Sequence, residues 1–451
     1  MMRLLKFIYK NFLAIFFFFL FLIKLAPFYY VPIESKFFAS HTLAKTGIVG
    51  LLGILLIFDF KKIIGVINKN KVLFTLLALF FLGQSLPVLT AEDVFLFWKG
   101  YHNIIASLVI FLITFYLLVK DKRNFQRLNK FILISGFVLV GIELIFVAFA
   151  DKLIPILNVV LQQEVFDAYL TNIERGRYSM DMNIELFLPF SLYLILKSKK
   201  WARFRKISLF FTLALIAITF FSNFRTRVVN LLFALFASLL IFFKKQENFL
   251  NPKNIKRLLP LGALLILPVV AAILLSSAVY SFNILDRFAL KNESEDVGTL
   301  TFRINAGKKS IELFKSSPLF GVGLGNYGNY SEERTQFEFH LLNQRNRLTY
   351  QELGSYSPHN VLFSVLAESG VFGITTFLIL LAYFFFRDIS YINKEYGISF
   401  PMVYIVSFWT MFVFMLFNPS HSIFVVGWFW LIRGVIEATY SVKTFKVNDL
   451  T

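Results

Sequence analysis

Cysteine is absent from the 451 residues, which excludes disulfides, a thiolate nucleophile and a thiolate-ligated metal centre. Acidic side chains are scarce, with 27 Asp and Glu against 46 Lys and Arg. No GxxxxGK[ST] loop occurs, and the basic stretches between apolar runs are too short for a nucleotide-binding domain, which argues against ATP-driven action by this chain alone. No internal repeat is visible. The first apolar run, LAIFFFFLFLI (13–23), lacks a small-residue cleavage site and reads as a spanning helix rather than a signal peptide.

What is abundant is apolar length. The chain is 57% hydrophobic with 59 Phe and a mean hydropathy of +0.68, and apolar runs near the length of a bilayer recur throughout. The expectation is an all-α polytopic membrane protein of about 12 transmembrane helices. They run near 6–24, 43–60, 72–89, 103–119, 131–150, 183–197, 207–222, 228–243, 258–280, 360–386, 399–417 and 422–437. The net charge of +19 sits in alternate gaps: KKIIGVINKNK (61–71), KDKRNFQRLNK (120–130), KSKKWARFRK (197–206) and KKQENFLNPKNIKR (244–257). That distribution orients a membrane protein rather than binding nucleic acid, and it places both termini in the cytoplasm. Two segments on the opposite side are long, 151–182 and a large loop at 281–359 between spans nine and ten. The chain thus divides into residues 1–182, five helices and the first long loop; 183–437, the remaining membrane region with its large loop; and a cytoplasmic tail, 438–451.

The polar residues concentrate on the face of the long loops. Arg225 and Arg227 lie between spans seven and eight in SNFRTRVVNLL, where the charge rule disfavours cations; snorkelling to the interface is the bland alternative. In the large loop, Ile304, Ile311 and Phe314 share a helical face, predicting an amphipathic helix over 302–316, lying on the membrane or on the bundle, with Thr301 as cap and Arg303 in the first turn. PLFGVGLGNYG follows, with Gly321 and Gly323 placed for a tight turn or a phosphate-cradling loop. SPHNVLFSVLAESG then puts His359 and Asn360 in the first turn of span ten. A neutral imidazole there can take a proton from an alcohol, and the arginines can grip a phosphate. His41, His102, His340 and His421 fall on the same face in no readable arrangement. Glu143 and Glu368 lie mid-span, as proton relays or as partners of a buried Arg, and Arg433 and Glu437 are spaced as an ion pair.

Three of these patterns together resemble the O-antigen ligase and polymerase superfamily of bacterial envelope glycan assembly. HNVLFSVLAESG is similar to its His-x10-Gly motif, RVVNL to its Arg-x3-Leu motif, and Arg303 followed by PLFGVG to its Arg, short helix and Pro-Leu-x-Gly-x-Gly. The resemblance implies a GT-C-like fold and an inverting glycosyltransferase in the bacterial inner membrane with a periplasmic active site. The donor would be a glycan on undecaprenyl pyrophosphate. The acceptor would be lipid A–core for a ligase or a lipid-linked repeat unit for a polymerase, with the ligase narrowly preferred. His359, Arg303 and Arg227 would be catalytic, with Arg225 as the alternative arginine. Arg225, Asn360, Gly321, Gly323 and Asn183 would bind substrate. No metal or other cofactor is implied, and a chain-length regulator is a possible partner beside membrane lipids. A lipid-linked glycan flippase or transporter, and a non-catalytic assembly factor, are the readings from other classes.

Overall fold

The computed structural model describes residues 2–25, 40–149, 152–155, 170, 183–197, 202–222, 224–244, 269–271, 273–274, 284–289, 298–330, 358–395, 399–418 and 423–442. Most of the expected ninth span, nearly all of 151–182, His340 and His421 lie outside them. Every regular element among the described residues is helical. In chain order these are α1 (Met2–Lys10), α2 (Phe12–Lys24), α3 (Ser40–Lys69), α4 (Lys71–Ser85), α5 (Val94–Lys120), α6 (Arg123–Ala148), α7 (Leu188–Lys197), α8 (Ala202–Phe221), α9 (Arg225–Lys244), α10 (Ile284–Phe288), α11 (Gly298–Ser316), α12 (Val361–Lys394), α13 (Phe400–Met415) and α14 (Ile423–Ser441). Short 3-10 turns cover Leu86–Leu89, Ile184–Phe187 and Tyr327–Tyr330.

Four described helices are long and apolar enough to cross a membrane: Lys71–Leu89, Val94–Lys120, Arg123–Ala148 and Val361–Lys394. Counting the bent pair α1 and α2 as one span makes five, and Ile184–Ile195, Lys206–Phe221 and Phe400–Met415 are shorter apolar helices. This is the architecture of a polytopic membrane protein. The centre is α14, whose Trp428, Phe429, Leu431 and Ile432 are buried against α5, α13 and α2. Helices α7 and α9 pack on α13 on one side, with α8 behind them against α6, α7 and α9, and α3, α4 and α12 complete the other.

Several boundaries differ from the sequence expectation. The first span is not straight: the chain bends by 76° between α1 and α2, and no residue of α1 is buried. The basic stretch 61–71 is helical as far as Lys69 rather than a gap, because α3 kinks at Asp59 (φ −128°, ψ 17°) and continues. Asp59 accepts from Tyr9 (2.6 Å), Lys120 (2.6 Å) and Lys62 (3.1 Å), tying α1, α3 and α5 together at that end. Near the same end, Arg433 pairs with Glu437 as its spacing suggested, and also donates to both carboxylate oxygens of Asp388 at 2.9 Å.

Candidate active site

The helix carrying Arg303 begins at Gly298, four residues before the expected start. Thr301 is therefore inside it, and Arg303 lies in the second turn, past the region where a cation strongly opposes the helix dipole. The apolar face is turned away from the bundle rather than onto it. Ala306, Ser310 and Leu313 point inward while Ile304 and Ile311 are exposed. Small residues are needed there because α11 packs on α12: a Cβ on Gly307 would sit 3.3 Å from the Phe363 ring. Tyr327 donates to the Ala306 carbonyl at 2.9 Å and closes the following loop back onto α11.

Helix α12 starts at Val361. Asn360 is its N-cap rather than a first-turn residue, accepting from the Leu362 and Phe363 amides at 2.9 and 3.2 Å. Its Nδ2 donates to the Leu416 carbonyl at the end of α13, 3.0 Å away. The side chain expected to contact substrate is thus committed to the fold at both ends. His359, just before the cap, adopts a left-handed backbone (φ 52°), uncommon for a residue with a side chain though more frequent for His than for most.

Arg303, Arg225 and His359 come together. Arg303 donates to the Phe417 carbonyl at 3.2 Å, one residue from the carbonyl that Asn360 holds. Burial and then the neighbouring Arg225 lower the Arg303 pKa. Burial, reinforced by Arg303, lowers that of His359 to about 4, so its imidazole is neutral at pH 7. Two guanidiniums and a neutral imidazole thus share one neighbourhood at the junction of α9, α11, α12 and the end of α13.

Arg227 makes different contacts. In the first turn of α9 it is completely buried, donating to Glu185 Oε1 at 2.7 Å and ion-paired with Glu143 at 3.5 Å. One turn on, Asn230 donates to Asn183 Oδ1 at 3.0 Å, and Thr219 donates to Glu185 at 3.1 Å. The turn beginning at Asn183 (φ 50°) is therefore gripped by α9 from within the bundle. Arg227 thus contacts the buried carboxylates Glu185 and Glu143, while Asn183 contacts the Asn230 amide. Glu143 resolves as the partner of a buried arginine. Glu185 was missed by sequence reasoning, although an acidic residue within the apolar run MNIELFLPF is itself a sign of an interior partner.

The glycine loop has a different purpose from a phosphate cradle. Helix α12 is broken at Gly370 (φ 59°, ψ −159°), and the loop pairs with the break. Val322 and Gly323 amides donate to the Ala367 and Glu368 carbonyls at 3.0 and 3.1 Å, and Val371 and Phe372 amides donate to Pro318 and Leu319 carbonyls at 2.8 and 3.3 Å. The Gly321 amide donates to the Ser317 carbonyl at 2.9 Å. Both candidate glycine amides are consumed within the fold, and neither is left to hold an anion. Only glycine permits so close an approach: a Cβ on Gly321 would lie 2.4 Å from the Glu368 carbonyl carbon, and one on Gly370 would lie 2.5 Å from the Leu319 oxygen. Gln84, buried at the end of α4, accepts from Ser369 at 2.9 Å and donates to the Gly373 carbonyl at 3.3 Å. The backbone groups freed by the break are thereby satisfied.

Gly370 and the Pro-Leu-x-Gly-x-Gly loop are therefore two halves of one joint, with His359 and Asn360 leading into it. Residues 209–378 match the family model described as O-antigen ligase. This match supports the resemblance to the O-antigen ligase and polymerase superfamily. The ligase-family stretch contains Arg225, Arg227, Arg303, the glycine joint and His359, while Asn183 precedes it. Among curated proteins, none matches the chain.

Proposed function

We propose that this protein transfers a glycan from a polyprenyl diphosphate carrier to an acceptor hydroxyl, with Arg225 and Arg303 holding the diphosphate and His359 taking the acceptor's proton. The observation that carries this reading is the convergence of two guanidiniums on a neutral imidazole within the ligase-family stretch. As the acceptor oxygen bonds to the anomeric carbon, its proton passes to His359 and the bond from that carbon to the diphosphate oxygen breaks. Charge develops on the leaving diphosphate, where fixed cations stabilise the transition state most. Direct displacement inverts the anomeric configuration, and the carrier diphosphate supplies the driving force.

A ligase acting on lipid A–core is narrowly preferred to a polymerase acting on a second lipid-linked unit, with undecaprenyl as the carrier in a bacterial inner membrane. Lys10, Lys61, Lys62, Lys69 and Lys120 lie at or near the end of the bundle opposite His359, an arrangement that supports a cytoplasmic basic end and a periplasmic site. The test is transfer from a polyprenyl-diphosphate glycan by the reconstituted protein. Arg303→Ala and His359→Ala are each expected to lower the rate at least about 100-fold without loss of folded protein. Wild-type transfer by both variants overturns the assignment. Loss of the gene producing core-only lipopolysaccharide with accumulated lipid-linked polymer indicates a ligase; a core bearing a single repeat indicates a polymerase.

A further inference from the structure

A helix leaves its last carbonyls without partners inside the helix, and at the end of α13 two of them are put to use. The final turn there tightens: the Phe417 amide reaches back three residues to the Phe414 carbonyl at 3.1 Å, and Asn418 Nδ2 donates to the same oxygen at 3.0 Å. The Leu416 and Phe417 carbonyls are taken by side chains from two other elements, Asn360 Nδ2 at 3.0 Å and Arg303 Nη2 at 3.2 Å. Consecutive carbonyls of one helix end thus hold both the start of α12 and the guanidinium carried by α11.

Asn360 joins that template to the imidazole. Its Oδ1 accepts from the Leu362 and Phe363 amides, so one side chain both begins α12 and ties that beginning to α13. His359 is the residue just before it, in a left-handed backbone (φ 52°) of the kind that persists only where its surroundings hold it. Helix α11 also packs along α12, but side-chain packing alone leaves more freedom than directed bonds to neighbouring carbonyls. We infer that Asn360 is a positioning residue for the proposed transfer: by capping α12 and holding the carbonyl next to the one that takes Arg303, it keeps His359 in register with the diphosphate-gripping guanidinium. This inference rests on the transferase reading. A base acts only within about 3 Å of the proton it takes, and a misplacement of about 1 Å can cost about 100-fold in rate. The transition state needs base and arginine together, whereas donor binding needs the arginines alone, so a loosened register weakens turnover more than binding.

Asn360→Ser separates the two bonds of this side chain, because it keeps a capping oxygen but has no amide to reach Leu416. Asn360→Thr does the same and serves where the serine variant fails to fold. In the reconstituted full-length protein, kcat is expected to fall at least about 10-fold while donor KM stays within about 3-fold of wild type and the melting temperature changes little. A second readout needs no turnover: the titration of His359, followed by NMR of isotope-labelled imidazoles and assigned by the resonance lost in His359→Gln. Among the described residues, the charged groups beside His359 are Arg303 from α11 and, next to it, Arg225 from α9. Burial and Arg303 hold the midpoint at about 4, so an imidazole freed from that register should titrate at higher pH in Asn360→Ser, a change that lost stability alone does not produce. Wild-type kcat, or an unchanged midpoint, in the serine variant overturns the proposal. If the wild type transfers no glycan, the transferase reading fails and the midpoint alone decides: a rise keeps Asn360 as the residue that sets His359 beside Arg303, and no rise overturns it.

Discussion

At the scale of single residues, His359 is held in a left-handed backbone beside a guanidinium, so both its conformation and its protonation are set by neighbours. With its pKa lowered to about 4, the free protein carries neutral imidazole at all pH values above that. Protonation at lower pH removes the base, so kcat/KM for transfer should fall off near pH 4. A bound diphosphate offsets the field of Arg303 and favours the imidazolium, so the acid limb of kcat should lie at higher pH than that of kcat/KM. Measuring both profiles checks this, and coincident limbs would count against His359 as the group titrating beside the diphosphate. The two arginines of RTR should separate in the same spirit. Removing Arg227 strands two buried carboxylates, which costs ~3–5 kcal/mol, so Arg227→Met should lower the melting temperature sharply. Adding Glu185→Gln should recover part of that loss. Arg225→Ala, at a half-buried position, should leave the melting temperature nearly unchanged while transfer falls.

At the scale of elements, the joint between the glycine loop and α12 is backbone against backbone, and it tolerates no side chain. Gly370→Ala introduces a Cβ 2.5 Å from the Leu319 oxygen at a positive φ. Strain of ~1–3 kcal/mol adds to the loss of loop pairing, so the variant should melt earlier and expose 317–323 to protease. Gly141, in α6 with nothing within 4 Å of its Cβ position, is the control: Gly141→Ala should be neutral or stabilising by up to about 1 kcal/mol. Unchanged proteolysis of Gly370→Ala would show that the loop does not depend on the break. The joint also marks where local sequence stops being informative. The apolar lengths of α5, α6 and α12 are readable locally, because spans are determined by neighbouring residues, although α5 begins at Val94 behind its Asp93 cap, nine residues before the expected start. The break at Gly370 is not, since SVLAESGVFGITTF continues a helical apolar pattern and the partner strand of backbone lies some fifty residues earlier. Helix α11 was legible as amphipathic, but which face meets the bundle was not. In a bilayer setting an apolar stripe at Ile304 and Ile311 can face outward, while small residues allow close helix packing. The pairing of Arg227 with Glu143 and Glu185 likewise needed three-dimensional proximity of α6, α9 and the turn at Asn183.

For the whole molecule, the decisive geometry is that its polar features separate by end. Lys120, Asp59 and Tyr9 meet where α1 folds back, and Ser441 bonds Asn70 at 2.8 Å near the same end. The C-terminal end of α4, the N-terminal third of α12 and the start of α5 gather at the other, with Arg303, His359 and the glycine loop. A chain that crosses a membrane in this orientation presents the two groups to different compartments, with the basic end retained inside. The absence of cysteine supplies a background for testing it by single substitutions. Leu319 is 53% exposed in the loop, and the Lys62 side chain is 67% exposed at the opposite end; neither belongs to the proposed catalytic group. In intact spheroplasts, a membrane-impermeant maleimide should label Leu319→Cys and spare Lys62→Cys, whereas lysed membranes should label both. Labelling of Lys62→Cys alone in intact cells would reverse the orientation, place His359 in the cytoplasm and overturn the proposed periplasmic site. Labelling of both in intact cells would mean that the two ends are not divided by a membrane, and the spans assigned to α4, α5 and α12 would then have to be redrawn.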